Sequence, residues 1–275
     1  MNTKMRDAVY GLAVGDALGV PYEFQARDTF RAAEPIGGGF HGQLAGTFSD
    51  DTSMTLATCE SLRAKQGAID ADDMRSRFLA WLERGVYAID GTIFDVGITT
   101  RRALEAGHGL DGEHDCGNGS LMRMLPLAFT EANDSEIAQV SAITHAHPVA
   151  CRACATYVHV ARDLAAGVTV PEAIARIADT EAPFGRLPEI ASLECEQIRS
   201  SGYAVDTLEA ALWCLATTES YRACVLAAVN LGDDTDTVAA VAGGLAGIVY
   251  GMEAIPHVWI DKLRGRDLIE RALGC

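Results

Sequence analysis

Two acidic stretches, far apart in the chain, contain the side chains with the clearest chemical potential. LGDDTDTVAA, residues 231–240, crowds three aspartates and two threonines together, and GTFSDDTSM, residues 46–54, places Ser49 beside two aspartates. Both precede apolar helical patterns, so their polar residues are also suitable helix N-caps. One capping residue is enough for that purpose, however. The surplus of like charges in both stretches therefore predicts a site for hard divalent cations such as Mg²⁺ or Mn²⁺, which prefer oxygen ligands.

Two further stretches contain residues suited to ligand binding. CGNGS, residues 116–120, sets small residues ahead of a predicted helix, where backbone N–H groups can meet a phosphate. THAHP, residues 144–148, holds His145 and His147. These histidines are open to three interpretations: a metal-binding pair, a ligand contact, or two hydrogen-bonded structural side chains.

Composition restricts the classes of partner. The 275-residue chain has a formal net charge of −16, which argues against nucleic acid or an anionic membrane surface as partners. The apolar stretch at residues 8–20 is interrupted by Asp16 and is too short to span a bilayer.

Cys151 and Cys154 form a CxxC with no second pair at zinc-finger spacing, so we predict buried reduced thiols and a cytoplasmic protein.

Helical periodicity dominates the chain. It predicts helices over residues 136–147, 150–167, 170–180 and 206–218. No region shows the alternation of a β-sandwich or the strand–helix repetition of a doubly wound sheet. We therefore predict an all-α fold of roughly ten or more helices. We also expect residues 1–275 to form one domain and the protein to be a monomer.

Glycines recur at intervals of four in two of the apolar stretches. They fall at Gly11, Gly15 and Gly19, and again at Gly243, Gly247 and Gly251. Each glycine in a helix costs about 1 kcal/mol relative to alanine, and the usual reason for accepting this cost is the close approach of another backbone. Both stripes adjoin the acidic stretches. Packing of the two helices is therefore expected to bring Asp50 and Asp51 near Asp234 and Asp236.

Seven motifs occur in order along nearly the whole chain. They are GLAVGDALGVPYEF (11–24), GTFSDDTSM (46–54), FDVGITT (94–100), GNGSLMRMLPLA (117–128), THAHP (144–148), GYAVDTLEAALW (202–213) and NLGDDTDTVAAVAGGLAGIVYG (230–251). The set resembles the ADP-ribosylglycohydrolases of the dinitrogenase-reductase-activating type. That resemblance implies a single-domain orthogonal multi-helix bundle with two Mg²⁺ or Mn²⁺ ions in a cleft. The implied reaction is hydrolytic removal of ADP-ribose from a modified protein side chain or a small ADP-ribosyl compound.

The resemblance also implies roles for individual residues. The implied metal ligands are Ser49, Asp50, Asp51, Asp234, Asp236 and Thr237. Catalytic roles are implied for Glu23, Asp95 and Asp51, and contacts to ADP-ribose for Gly117, Asn118, Gly119, Ser120, His145 and Tyr203. Asp233 is expected to support the metal ligands. The family more often has threonine at the position of Ser49 and often has asparagine at that of Ile98.

Three questions remain open at the level of the sequence. Asp95 favours arginine as the modified residue, because a carboxylate matches the planar donor fork of a guanidinium. Serine-linked ADP-ribose, O-acetyl-ADP-ribose or a free guanidine derivative would use the same metal centre. A non-catalytic relative resembling the lens crystallins would be marked by loss of the metal acids, which are intact here. Finally, Asp95 could simply cap the helix expected around residues 97–107.

Overall fold

The described part of the protein, residues 3–274 of a computed structural model, consists of helices joined by loops. Its twelve α-helices are α1 (Thr3–Gly19), α2 (Asp50–Ala64), α3 (Ala71–Arg84), α4 (Ile98–Ala106), α5 (Asp134–Ser141), α6 (Pro148–Ala165), α7 (Val170–Ala175), α8 (Ala204–Ala216), α9 (Tyr221–Asn230), α10 (Thr235–Tyr250), α11 (His257–Lys262) and α12 (Arg266–Leu273). Short 3₁₀-helices cover Val20–Tyr22, Ile89–Gly91, Leu121–Arg123, Leu125–Phe129, Leu187–Ser192, Cys195–Gln197 and Met252–Ala254. Extended pairing in this range is limited to isolated bridges, so the all-α prediction is confirmed.

Helices α1 and α10 pack against each other at the centre of the fold. A Cβ atom added to Gly11 would overlap the carbonyl oxygen of Gly243, and one added to Gly19 would overlap the backbone of Asp236. The close packing predicted from the glycine pattern is therefore confirmed. Gly251 is the exception, because it ends α10 with a φ of 76° and a Cβ there would lie 3.9 Å from the Asp7 carboxylate, an ordinary contact distance.

Buried apolar side chains along the described chain form one hydrophobic cluster. Helix α10 lies deep within it, since its residues are buried continuously from Thr235 to Ile248. Close-packed interiors leave little freedom for rearrangement. The first turn of α10, which carries the second acidic stretch, is therefore held by packing on several sides.

Two of the predicted helices are shorter than expected. The helix over 136–147 was wrong beyond Ser141, because the following segment pairs with Leu110. Leu110 donates its N–H to the Thr144 carbonyl at 3.0 Å, and Ala146 donates to the Leu110 carbonyl at 2.8 Å. The helix over 170–180 was wrong beyond residue 175. There the chain turns toward α6, where Asp179 forms a bidentate ion pair with Arg152 at 2.6 and 2.7 Å.

No helix within residues 3–274 is both long and apolar enough to cross a membrane.

Candidate active site

The first turns of α2 and α10 meet at the carboxylate of Asp51. Ser49, the N-cap of α2, donates from Oγ to Asp51 Oδ2 at 3.0 Å. Thr237 of α10 donates to the same oxygen at 3.3 Å. Carboxylate oxygens of Asp16, Asp51 and Asp236 all lie within 4.8 Å of one another. The packing of α1 on α10 thus brings the two acidic stretches together, as the glycine pattern predicts.

Asp16, buried in the last turn of α1, is a site residue that sequence reasoning missed. Its Oδ1 accepts the Ser49 N–H at 2.8 Å, and its Oδ2 accepts the Thr52 N–H at 3.0 Å and the Thr52 hydroxyl at 2.5 Å. Asp16 therefore fixes the start of α2 against α1. Burial raises the pKa of Asp16 to about 6, although the bonds from Thr52 and Ser49 oppose the shift. The available signal was an acid within an apolar helix, because a buried charge requires partners.

Within residues 3–274, the acids at this junction form no ion pair with a positively charged side chain. Burial, followed by repulsion from neighbouring carboxylates, raises the pKa values of Asp50, Asp51 and Asp236 well above the usual range. Among the described residues, Asp51 Oδ1 and Asp236 Oδ2 are buried without a hydrogen-bond partner. Unpartnered carboxylate oxygens beside two hydroxyl groups form the donor set that a divalent cation such as Mg²⁺ prefers. The residues present therefore fit a divalent cation.

Asp234 and Asp233, which are adjacent, have different surroundings. Asp234 is the N-cap of α10 but makes no capping hydrogen bond, and its Oδ2 instead accepts from Asn118 Nδ2 at 2.8 Å. Helix capping thus fails to explain this acid. Asp233 was expected to support the metal ligands, yet its side chain is exposed. Its backbone exchanges hydrogen bonds of 2.8 Å with Phe24 N–H and the Gln25 carbonyl, so Asp233 positions the loop that follows Glu23.

A second group of titratable side chains comprises Glu23, His41 and Asp95. His41 Nε2 hydrogen-bonds Glu23 Oε2 and lies 3.8 Å from Asp95 Oδ1. Burial raises the pKa of Glu23 to about 7, with the hydrogen bond from His41 opposing the shift and the charge of Asp95 adding to it. The bond to Glu23 in turn raises the pKa of His41.

His41 is the second site residue that sequence reasoning missed. It follows the glycine-rich segment at 37–40, which the sequence marks only as a turn. Gly39 brings this segment against the 3₁₀-helix Val20–Tyr22 that follows α1, because a Cβ there would overlap the backbone of Pro21. A histidine between a glycine-rich turn and an acidic stretch was the signal available, but it does not reveal Glu23 as the partner.

Asp95 lies outside the helix that it was suggested to cap. Helix α4 begins at Ile98, its N-cap is Gly97, and no side chain caps it. Asp95 itself has a φ of 55°, a conformation uncommon for residues other than glycine. The structure therefore favours a role toward the group of Glu23 and His41 over a capping role.

The loop at 117–120 differs in part from its prediction. It precedes a 3₁₀-helix of three residues, Leu121–Arg123, instead of an α-helix, so no helix dipole of useful length points at it. The Asn118 N–H is also occupied, because it donates to the Gly202 carbonyl at 2.9 Å. Asn118 Nδ2 bridges Thr207 and Asp234 at 2.8 Å each, which ties the loop to the acids. The Ser120 hydroxyl is buried and accepts from Ser141 at 2.9 Å.

The two histidines of THAHP are separate in role. His145 is buried beside the loop, and a Cβ added to Gly119 would lie 2.8 Å from His145 Cε1. His147 is the N-cap of α6, where its Nδ1 accepts the Val149 N–H at 3.2 Å. Neither belongs to a metal-type group among the described residues. Tyr203 precedes α8 and forms an isolated antiparallel bridge with Gly117.

Comparison with known proteins decides the family of this fold and site. A model of the family described as ADP-ribosylglycohydrolase matches residues 1–274. The chain belongs to the ADP-ribosylglycohydrolase family. A solved structure titled ADP-ribosylglycohydrolase-related protein complex matches with a TM-score of 0.82 and 33% identity, covering 99% of this chain and 96% of the other.

Two curated relatives of this ADP-ribosylglycohydrolase have named activities. An ADP-ribosylarginine hydrolase of Pseudomonas putida is 35% identical over 98% of this chain and 76% of its own. An ADP-ribosyl-[dinitrogen reductase] glycohydrolase of Rhodospirillum rubrum is 34% identical over 93% of this chain and 88% of its own.

Both departures from the family pattern have clear positions in this ADP-ribosylglycohydrolase. Ser49 keeps a hydroxyl group on Asp51, as described above. Ile98 is 77% exposed at the start of α4, three residues after Asp95. Phe24 and Phe40 are also exposed, and their rings meet edge to face with centroids 5.0 Å apart. Phe40 packs edge to face on His41 at 5.2 Å, so an apolar rim borders the carboxylates of Glu23 and Asp95.

The cysteines of residues 3–274 lie outside both groups of titratable side chains described above. The seven described cysteines are free, and none belongs to a metal-type group among the residues of the described range. Cys154 is buried and Cys151 is half-buried. Cys154 Sγ donates to Ser141 Oγ at 3.6 Å. Both thiols of the CxxC are free, as predicted, but the predicted burial is confirmed only for Cys154. Cys275 lies outside the described residues.

Proposed function

We propose that this protein hydrolyses the bond between the anomeric carbon of ADP-ribose and a guanidinium nitrogen of a modified arginine side chain. The names of the Pseudomonas putida and Rhodospirillum rubrum relatives support the reaction class. The observation that carries the proposal is the junction of α1, α2 and α10, where Asp51 and Asp236 each keep a buried oxygen without a partner among the described residues. The charges of Glu23 and Asp95 are close enough to this junction to add to the raised pKa of Asp236.

We further propose that two divalent cations, Mg²⁺ or Mn²⁺, bind at this junction. The residues that would hold them are Ser49, Asp50, Asp51, Asp234, Asp236 and Thr237. Their oxygen-only donor set and the raised pKa values of Asp50, Asp51 and Asp236 support the assignment. When bound, the cations would supply Lewis-acid chemistry and a template for the vicinal ribose hydroxyls.

The leaving group would be bound by Asp95. Its carboxylate can accept two N–H donors from the planar guanidinium, a geometry that a serine oxygen cannot match. As the C–N bond breaks, positive charge develops at the anomeric carbon and the ring oxygen. The carboxylates of Asp51 and Glu23 would stabilise that charge.

Glu23 would handle the proton of the attacking water. A carboxylate whose pKa is about 7 can accept a proton near neutral pH, and His41 holds Glu23 in place through Nε2. A C–O bond forms at the anomeric carbon while the C–N bond breaks. The proton from water finally resides on the released guanidine, which leaves as a guanidinium ion.

The ADP-ribose moiety would lie along Gly117, Asn118, Gly119 and Ser120, with His145 and Tyr203 beside it. Gly119 supports this placement, because the absence of a side chain leaves room between His145 and Thr100.

We also propose that residues 1–275 act as one domain and as a monomer in the cytoplasm, where free thiols such as Cys154 persist.

Product analysis tests the proposal directly. Arginine-linked and serine-linked ADP-ribosyl peptides of the same sequence would be incubated separately with the protein and Mg²⁺ or Mn²⁺. Mass spectrometry should show free ADP-ribose and unmodified arginine peptide, and chelation should stop the reaction. Release from the serine peptide alone would overturn the arginine assignment, and release from neither would overturn the activity.

A further inference from the structure

Arg123 is a fully buried cation whose position the proposed reaction does not explain. Its guanidinium lies 4.4 Å from the centroid of the Phe78 ring, and among residues 3–274 it forms no ion pair. Only Nη2 has hydrogen-bond partners, the Val140 carbonyl at 3.1 Å and Thr144 Oγ1 at 3.0 Å, while Nε and Nη1 have none. Burying a charge without a counter-ion is expensive, so this arginine requires a specific reason.

The partners of Arg123 lead to His145. Thr144 Oγ1 lies 2.8 Å from His145 Nδ1 and accepts from Arg123 on its other side. A guanidinium can only donate, so the Thr144 hydroxyl must receive that bond and keeps its own hydrogen to give. In the described structure, His145 Nδ1 is the acceptor that this hydroxyl hydrogen can reach. A proton on Nδ1 would leave the buried hydroxyl hydrogen without a partner, which is unfavourable.

This chain of bonds places the imidazole proton on Nε2. Burial, with a further contribution from the charge of Arg123, lowers the pKa of His145 to about 3, so the ring stays neutral. His145 is only 3% exposed, and its Nε2 has no protein partner among the described residues. A Cβ added to Gly117 would lie 3.6 Å from Nε2, so the donor faces the glycine loop.

We propose that Arg123 and Thr144 are positioning residues that hold His145 as the neutral Nε2–H tautomer, ready to donate a hydrogen bond to a diphosphate oxygen of ADP-ribose. The inference rests on the proposed function for the identity of the ligand. A neutral donor suits this position, because Asn118 of the same loop holds the carboxylate of Asp234, which would compete with a diphosphate for an imidazolium. Arg123 adds positive potential beneath the loop without reaching the ligand.

The tautomer can be measured without any activity. The full-length protein, labelled with ¹⁵N in histidine, would be examined by long-range ¹H–¹⁵N correlation from about pH 5 to about pH 8. One histidine should show a protonated Nε2 and a bare Nδ1 across that range, and its signals should vanish in His145→Gln. A protonated Nδ1, or an imidazolium at the lower pH, would overturn the proposal.

A matched pair of variants tests the role of Thr144. Thr144→Val should give mixed tautomers and weaken binding of ADP-ribose about tenfold by calorimetry, the effect of about 1.4 kcal/mol. Thr144→Ser keeps the hydroxyl and should retain both the Nε2–H tautomer and the wild-type affinity for ADP-ribose. Binding of Mn²⁺ should be equal in wild type, Thr144→Val and Thr144→Ser. Unchanged tautomer or unchanged ADP-ribose affinity in Thr144→Val would overturn the proposal.

The outcomes separate the inference from the proposed function. If wild type shows the Nε2–H tautomer but binds no ADP-ribose, the proposed function and the assigned ligand both fail while the tautomer lock stands. If ADP-ribose binds and the tautomer is wrong, only the inference fails. Should Thr144→Val not fold, the wild-type spectrum still decides the result.

Discussion

Two walls of the site satisfy their polar groups in different ways. The acidic wall is formed by Asp16, Asp50, Asp51, Asp234 and Asp236. The glycine-loop wall is formed by residues 117–120 and His145. In the acidic wall, carboxylates repel one another, and two buried oxygens have no hydrogen-bond partner within the described range. In the glycine-loop wall, the Asn118 amide and the His145 Nδ1 are already hydrogen-bonded within the protein.

The difference indicates that the two walls depend on ligands in different ways. The acidic wall needs a cation to offset its charge, so metal binding and folding stability should be coupled there. In the glycine-loop wall the Asn118 amide and His145 Nδ1 are bonded within the protein, and His145 Nε2 is the donor left for a substrate. Changes in the acidic wall should therefore affect metal and turnover together, whereas changes in the glycine-loop wall should affect ADP-ribose alone.

The largest expected effect comes from the adjacent pair Asp234 and Asp233. Asp234→Asn removes a charge from the acidic wall and should abolish turnover and remove at least one cation, measured by metal analysis of the dialysed protein. Asp233→Asn is the matched control, because that side chain is exposed and asparagine tolerates its φ of 57°. Equal activity in the two variants would contradict the separation of roles.

Asp95→Ala should reduce turnover of arginine-linked ADP-ribose by a factor on the order of 10²–10⁴, the usual contribution of a positioned acid or base. The loss should be smaller for any serine-linked activity, and metal content should barely change, because Asp95 would bind the leaving group. Steady-state kinetics on the arginine-linked and serine-linked ADP-ribosyl peptides measures the two losses of turnover. A lowered melting temperature with normal turnover would mean that Asp95 is only structural.

Gly119→Val probes the glycine-loop wall. The added Cβ would lie 2.8 Å from His145 Cε1 and 2.9 Å from Thr100 Oγ1, so the loop must shift. Such crowding costs about 1–3 kcal/mol, and ADP-ribose affinity should fall on the order of 10- to 100-fold while Mn²⁺ affinity is retained. Gly185→Val serves as control, since its Cβ meets only Thr180 O at 3.4 Å. Equal loss of metal and ADP-ribose would show that the loop supports the whole site.

The smallest effect concerns the pH dependence of the metal-free protein. Folding raises the pKa of Asp16 to about 6 and of Glu23 to about 7, so the folded state holds protons that the unfolded chain releases. The free energy of unfolding should therefore fall as pH rises from about 5 to about 8. His145, with its pKa lowered to about 3, opposes this trend only below about pH 6.5.

Calorimetry in chelator should show a melting temperature several degrees lower at the higher pH. Each kcal/mol lost from the free energy of unfolding lowers the melting temperature by on the order of 2–4 °C. Excess Mg²⁺ should reduce the difference, because bound cations offset the same carboxylates. A metal-free protein that is more stable at the higher pH would contradict the account of the acidic wall.

The residues that were predictable from sequence are those whose partners follow from a regular pattern. Gly11 and Gly19 mark a close helix contact because their spacing matches the helix period, and that contact brings both acidic stretches together. His41 and Asp16 were not predictable in this way. Their roles depend on Glu23 and on the start of α2, which tertiary packing brings within reach.

The errors along the chain have a similar origin. The apolar periodicity after Ser141 continues through Ile143, yet pairing with Leu110 overrides it and turns the backbone out of the helix. Asp233 carries the residue type expected of a metal site, but its contribution is a backbone contact with the loop after Glu23. Residue type and local period do not reveal such long-range backbone pairing.

Anomalous diffraction from crystals grown with Mn²⁺ tests the central claim most directly, because it locates each cation relative to both titratable groups. The account predicts two peaks per chain at the acidic wall, each within ligand distance of oxygens from Asp51, Asp234 or Asp236 and of no nitrogen. A principal peak held instead by His41 between Glu23 and Asp95, or no peak at all, would contradict it.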